Sequence, residues 1–326
     1  MWILTAVSIV QAAALTPTAT PKRLLQLFAP REDAVLCSPT TKAPLAVSVR
    51  LYNGGAKRTF AADGVEYGER LGFVDLVEPK RARTPREAAD ELRAQLLGRS
   101  SAERVQEDTF RNPFVSFLYE RGWRDSFKRS GFPGIDEEFE EVCGFFGNAL
   151  DDADATVVDL SCGTGLMARR LARVVEGRLI AADYSESMLL ETRRRFEAAD
   201  DVATPELYRV DVAQLPFATE SLDAVHAGAA LHCWVNLEDG LAEVCRSLKP
   251  GAPFFATTFL VGALGTNRLP RQVRDAGYRF FEEDELRELF ETAGFVDVSV
   301  RREDPACAVI QAVAPGGGAV EEGAPG

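Results

Sequence analysis

Apolar and polar positions divide the chain into two regions of different rhythm. From about residue 156 onward, short apolar runs alternate with helical periods. One strand ends at Val157-Val158, and 179–182, 207–210, 224–230 and 253–258 read as four more buried strands. Helical spacing follows the first of these at Leu166, Met167, Leu171 and Val174, and recurs over 188–196 and 237–248. Pro250-Gly251 stops the third helix, and a capped helix over 283–293 ends at Gly294. The last two strands, 296–300 and 308–313, are expected to pair antiparallel. Strands alternating with helices predict an α/β fold, a doubly wound sheet with an antiparallel final strand.

Residues 21–79 have another pattern. Strand candidates lie at 45–51, 57–61 and 73–77, and Asn53-Gly54-Gly55 is a hairpin signal between the first two. This stretch is expected to form a small N-terminal β-rich module. Residues 80–109, rich in Arg, Glu and Ala, read as a charged helical linker. Between Phe110 and Phe146 the chain is rich in aromatic residues, broken by Asn112-Pro113 and Phe132-Pro133-Gly134 into two or three helices. Most of those rings are expected in the core, and some could line a substrate cavity. Residues 316–326 are Gly-rich and acidic, the composition of a disordered tail.

The N-terminal 14 residues are apolar but too short to span a bilayer. With small residues after them and a Pro/Thr-rich stretch to Pro21, residues 1–20 read as a targeting segment of signal-peptide type. A buried N-terminal helix is the alternative. Net charge of −13 and a pI near 4.9 argue against a nucleic-acid partner, since phosphate binding needs a clustered positive field. Arg193, Arg194 and Arg195 form a local basic run, read as a solvated helix face. Six cysteines include no C-x-x-C pair, so neither a disulfide framework nor a zinc ribbon is expected, and buried thiols are the default. Two histidines leave too few ligands for a transition-metal site.

Candidate chemistry gathers around the turn 161–165. Ser161, Cys162, Gly163, Thr164 and Gly165 link the first strand of the doubly wound sheet to its helix, at the carboxyl edge where such sheets bind ligands. Gly163, Gly165 and Ala168 also satisfy the dinucleotide pattern G-x-G-x-x-A, but Asp159 stands where that fold keeps an apolar strand residue. Asp159 is expected either to fix the loop by accepting backbone N–H bonds or to meet a ligand's ammonium. Asp183, 20 residues after Gly163 and at the end of the next strand, can accept from both hydroxyls of a ribose. Capping the following helix is its other reading, a job Ser185 could do instead. Asp211 follows the third strand, where it could meet a ligand or cap a turn. His226 reads as a satisfied structural histidine. His232, in the loop leaving the fourth strand, is a candidate general base, with Trp234 beside it as packing.

At DLSCGTGLMARR, ADYSESML, DVAQLPFATESLDAVHAGAALHCW and ATTFL, and at LYERGWRDSFKRSGFPGIDEEFEE upstream, the chain resembles a known family. It looks like the class I S-adenosylmethionine-dependent methyltransferases of type 11, in the branch of chloroplast, plastoglobule-associated enzymes of plants and algae. That branch is related to the C-methyltransferases of ubiquinone and menaquinone synthesis. The similarity covers about residues 110–314, HAGAALHCW being its most specific part, and implies a methyltransferase domain over 110–315 with a helical cap at its start. It implies S-adenosyl-L-methionine as cofactor, held by Asp159, Ser161, Gly163, Gly165, Asp183, Asp211 and Val212. It further implies a small, lipophilic, quinone- or lipid-like acceptor, with His232 and, behind it, Tyr119 as catalytic candidates. A plastid location reached through a signal peptide is implied too, with secretion as the alternative, and peripheral contact with a lipid droplet. Relatives carry a C-x-x-C ribbon before the catalytic domain. Here Cys37-Ser38-Pro39-Thr40 keeps one cysteine, so a degenerate ribbon without zinc is expected. Two rival readings stand beside this one, an NAD-dependent oxidoreductase on a similar fold and a non-catalytic, donor-binding interaction protein.

Overall fold

The computed structural model describes residues 31–52, 55–77, 128–199, 201–261 and 279–316. The targeting segment, the charged linker, Asn53-Gly54, the aromatic stretch up to residue 127 with Tyr119, and the tail from 317 lie outside the described residues.

Five parallel strands form the centre of the sheet: β6 (Thr156–Leu160), β7 (Arg178–Asp183), β8 (Glu206–Arg209), β9 (Ala224–Ala227) and β10 (Pro253–Phe259). β12 (Cys307–Val313) pairs antiparallel with β10, and β11 (Val296–Glu303) antiparallel with β12, as expected. The order runs β8-β7-β6-β9-β10-β12-β11, so the direction of winding reverses beside β6. A reversal opens a crevice beyond the carboxyl ends of the strands. Every residue of β6 and β9 is buried, because the sheet is covered on both faces there.

The helices are α1 (Ile135–Phe146), α2 (Ala168–Leu171), α3 (Glu186–Glu197), α4 (Leu237–Ser247) and α5 (Glu283–Thr292). α4 buries Leu237, Gly240, Leu241 and Val244, one stripe at helical spacing, and the chain turns away through Gly251 at φ +77°. The helix expected after the glycine turn is short. Hydrogen bonds from Arg170 to Met167 and from Val174 to Leu171 tighten its two ends into 3-10 turns, leaving α2 as a single α turn.

The N-terminal region is a five-stranded antiparallel meander: β1 (Arg31–Cys37), β2 (Pro44–Tyr52), β3 (Gly55–Ala62), β4 (Val65–Arg70) and β5 (Phe73–Asp75). It is continuous with the main sheet, since β5 lies parallel to β8 with Asp75 opposite Arg209. β1 also returns to the segment after β8: Leu36 bridges Phe217, and the Cys37 amide donates to the Pro216 carbonyl at 2.9 Å. Leu36, Leu45, Phe60, Tyr67, Val74, Tyr208 and Phe217 fill the space enclosed and join the main core. At the seam, Arg209 meets Asp75 at 3.1 Å with both side chains about 95% buried, and Arg209 Nε donates to the Tyr184 carbonyl. Cys37, at the end of β1 beside Pro216, is a buried free thiol, and all six cysteines are free.

Candidate active site

At the end of β6 the backbone takes left-handed conformations at Ser161 (φ +57°), Gly163 (φ +56°) and Gly165 (φ +75°). Glycine adopts these without strain; serine does not. Gly165 is also fixed by space, because a Cβ there would come within 2.7 Å of Thr192 Cγ2 on α3. Thr192 Oγ1 donates to the Gly163 carbonyl at 2.8 Å, so α3 holds the turn from below.

Asp183 joins this turn directly. Its Oδ2 accepts from the Gly163 amide at 2.9 Å, and its Oδ1 from the Ser185 amide at 2.8 Å. Each oxygen keeps a lone pair for a ligand hydroxyl. Ser185, not Asp183, caps α3, accepting from the Met188 amide at 3.4 Å. Burial pushes the Asp183 carboxyl up to about 6, against the opposing pull of those backbone donors.

Asp159 does not fix the loop through backbone bonds. Its Oδ1 lies 2.8 Å from His226 Nδ1 on the neighbouring β9, and His226 Nε2 lies 3.2 Å from Glu138 Oε1 on α1. All three side chains are almost wholly buried. Gly228 makes room for them, since a Cβ there would reach Glu138 Oε1 at 2.7 Å and His226 Cε1 at 2.8 Å. Burial alone would lower the imidazole, but hydrogen bonds to Asp159 and Glu138 overcome it and raise His226 to about 9. The histidine is satisfied, as expected, but by two carboxylates. Sequence reasoning missed Glu138, although a signal existed: Glu138, Val142 and Phe146 share the buried stripe of α1, where an unpaired acid is rare.

Asp211 Oδ1 accepts from the Ala213 amide at 3.0 Å and caps the 3-10 turn Val212–Gln214, the turn-capping reading. It stands beside Asp183, whose carbonyl accepts from the Val210 amide. On the other side, the turn after β9 carries Trp234, whose Nε1 donates to Ser161 Oγ at 3.0 Å. His232 lies in the same turn, nine-tenths buried, its ring edge-on to Phe259 and its Nδ1 3.4 Å from Thr258 Oγ1. Burial pushes His232 down to about 3, so its imidazole is neutral. Burial, and after it the charge of Asp183, raises the Cys233 thiol, so this turn is within electrostatic reach of the ribose-binding candidate.

The structure thus brings together Ser161, Gly163, Gly165 and Asp183, with Asp159 beneath the turn and Asp211, Val212 and His232 on the flanking loops. These residues fit a cationic nucleoside ligand. Two acidic side chains, one with a buried oxygen making no hydrogen bond among the described residues (Asp159 Oδ2), border a turn whose glycine at 165 leaves no room for a side chain.

Known proteins agree with this geometry. Residues 157–251 match the family model described as a methyltransferase domain. Two chloroplastic methyltransferases of Arabidopsis thaliana, both of uncharacterised activity, are 41% and 38% identical over 200 and 209 residues. Those matches cover 59% and 61% of this chain, which spans 56% and 58% of the relatives' own lengths. A demethylmenaquinone methyltransferase of Desulfitobacterium hafniense is 29% identical over 50% of this chain and 61% of its own. Among solved structures, the phosphoethanolamine N-methyltransferase 2 of Haemonchus contortus in complex with S-adenosyl-L-methionine superposes with a TM-score of 0.54 at 18% identity. That superposition covers 67% of this chain and 60% of the other and concerns the fold alone. Strand order, glycine turn and family match together identify the region spanning residues 157–251 as a class I S-adenosylmethionine-dependent methyltransferase domain.

Proposed function

We propose that the chain transfers a methyl group from S-adenosylmethionine to a small lipophilic acceptor of quinone or lipid type, in a plastid. The observation that carries the donor assignment is Asp183, held by two backbone amides beside the glycine turn with lone pairs left for a ribose. S-adenosylmethionine supplies an already activated methyl on a sulfonium. The chain's residues therefore have mainly to bind, align and exclude water. Asp183 would hold the ribose, Asp211 and Val212 the adenine, Asp159 the amino-acid end, and Ser161, Gly163 and Gly165 would let the backbone close against it. His232, neutral in its buried setting, would accept a hydrogen bond from an acceptor hydroxyl and orient it. With so low a pKa it is a weak base, so we assign it orientation first, with Tyr119 as the second candidate. The quinone class is supported by likeness to the demethylmenaquinone enzyme, and the plastid by the chloroplastic relatives.

The test is calorimetric titration of the full chain with S-adenosylmethionine, with NAD as competitor. Micromolar binding, roughly −8 kcal/mol, that is lost in Asp183→Ala supports the reading. A folded protein that prefers NAD, or binds no donor, overturns it.

A further inference from the structure

Strands β6 and β9 run side by side with Asp159 opposite His226 in register, and α1 brings Glu138 to the far side of the imidazole. Both ring nitrogens thus face carboxylate oxygens, at 2.8 and 3.2 Å. A neutral imidazole has one donor, and only the imidazolium donates from both nitrogens. The ring lies under Phe255 with centroids 6.1 Å apart, and Thr257 Oγ1 donates to Glu138 Oε1 at 3.3 Å, so β10 closes the row from its own side.

Asp159 at the other end is different. Its Oδ1 is taken by His226, whereas its Oδ2 is buried and makes no hydrogen bond among the described residues. An unpaired buried carboxylate oxygen is costly, unless a ligand completes it. Asp159 stands two residues before Ser161, and its charge adds to burial in raising the Cys162 thiol and the Asp183 carboxyl. It is therefore within reach of the turn where the ligand's nucleoside end is assigned, and on the side away from Asp211.

We infer that Glu138 and His226 are positioning residues for the methyl donor: the Glu138–His226 pair locks the Asp159 carboxylate so that its free Oδ2 receives the ammonium of the donor's amino-acid end. This rests on the methyltransferase reading and deepens it. Without His226 the Asp159 carboxylate loses the partner that fixes its rotamer. A carboxylate free to turn no longer holds Oδ2 where the ammonium arrives.

The experiment compares two ligands on the full chain by calorimetry. One is S-adenosylmethionine; the other is 5′-methylthioadenosine, which has the same nucleoside but no amino-acid end. His226→Gln should weaken S-adenosylmethionine on the order of 30-fold or more, as for a broken buried charge pair, and leave methylthioadenosine unchanged. Glu138→Gln, which keeps the shape and removes the charge, should shift the same ratio in the same direction by less. If His226→Gln does not fold by circular dichroism, the Glu138→Gln ratio decides alone. Equal weakening of both ligands means a merely structural role and overturns the inference, as does unchanged donor affinity. Wild-type protein that binds neither ligand overturns the methyltransferase reading itself, a result separable from the others.

Discussion

Trp234 donates its indole N–H to Ser161 Oγ at 3.0 Å, tying the turn after β9 to the turn after β6. Ser161 sits at φ +57°, a conformation that costs a residue with a Cβ roughly 1–2 kcal/mol. A glycine would avoid that cost but offer no oxygen. The indole is itself seated by Gly240 on α4, where a Cβ would approach Trp234 Cε3 to 2.9 Å. The strained serine and the small helix position are thus parts of one arrangement that fixes the distance between two loops of the site.

A double-mutant cycle measures this tie. Ser161→Ala and Trp234→Phe each remove one side of the bond, and the packing lost with the smaller ring of the buried Trp234 cancels in the cycle. Urea unfolding should give a coupling of about 1 kcal/mol, the net worth of a neutral hydrogen bond. A coupling near zero would mean that the two loops are held by packing alone.

Gly165→Ala tests the turn from another direction. The new methyl would meet Thr192 Cγ2 at 2.7 Å, and φ +75° would strain the alanine whatever the space. Together these effects should cost about 3 kcal/mol of stability. Adding Thr192→Ser removes Cγ2 while keeping the hydroxyl that donates to Gly163 O, so the pair should recover about half of the loss, leaving the φ strain. If Thr192→Ser recovers nothing, the contact is not what fixes glycine there.

Much of the sheet was legible because β6 through β10 are buried apolar runs bounded by turn residues, and burial on both faces leaves a plain signal. β4 was not, because its VEYGER sequence is mostly polar, although Asp63-Gly64 before it and Leu71-Gly72 after it marked two turns. β1 had no alternation that distinguished it. In the site, the glycine turn and Asp183 could be placed from spacing, since 20 residues separate adjoining strand ends. The partners of Asp159 could not: His226, 67 residues after it, reaches it through the sheet order, and Glu138, 88 residues before His226, through the packing of α1 on the sheet. Trp234 was assigned to packing; its bond to Ser161 depends on a loop conformation that local sequence does not encode.

His226 should give the protein a distinctive pH dependence. Its folded pKa is raised from 6.5 to about 9 by Asp159 and Glu138, against the desolvation that lowers it. The imidazolium is favoured in the fold, so its stabilisation is fully present below pH 6.5 and is lost as pH rises through 9. The shift corresponds to roughly 3 kcal/mol. Urea unfolding at pH 6.5, 8 and 9.5 should show that decline in the wild type, and His226→Gln should remove the His226 component of the slope. Parallel curves for the two proteins would show that the histidine is not charged in the fold.

Asp183 predicts a second pH dependence, in ligand affinity and of opposite direction. Burial raises its folded pKa from 3.8 to about 6, so between those values folding favours the protonated form and this group's contribution to stability falls as pH rises. The donor needs the carboxylate, because only the ionised form offers acceptors to both ribose hydroxyls on oxygens already holding the Gly163 and Ser185 amides. Affinity for S-adenosylmethionine should therefore rise with pH through about 6 and level off above it. At pH 5 it should be about tenfold weaker than at pH 7.5, the factor by which a group of that pKa is depleted of its anion. Over this range His226 stays charged and His232 neutral, so neither contributes to the change. Asp183→Asn should bind weakly at every pH and flatten the profile. A wild-type affinity that is level from pH 5 to 7.5 would show that Asp183 is ionised throughout, its two amide donors outweighing burial.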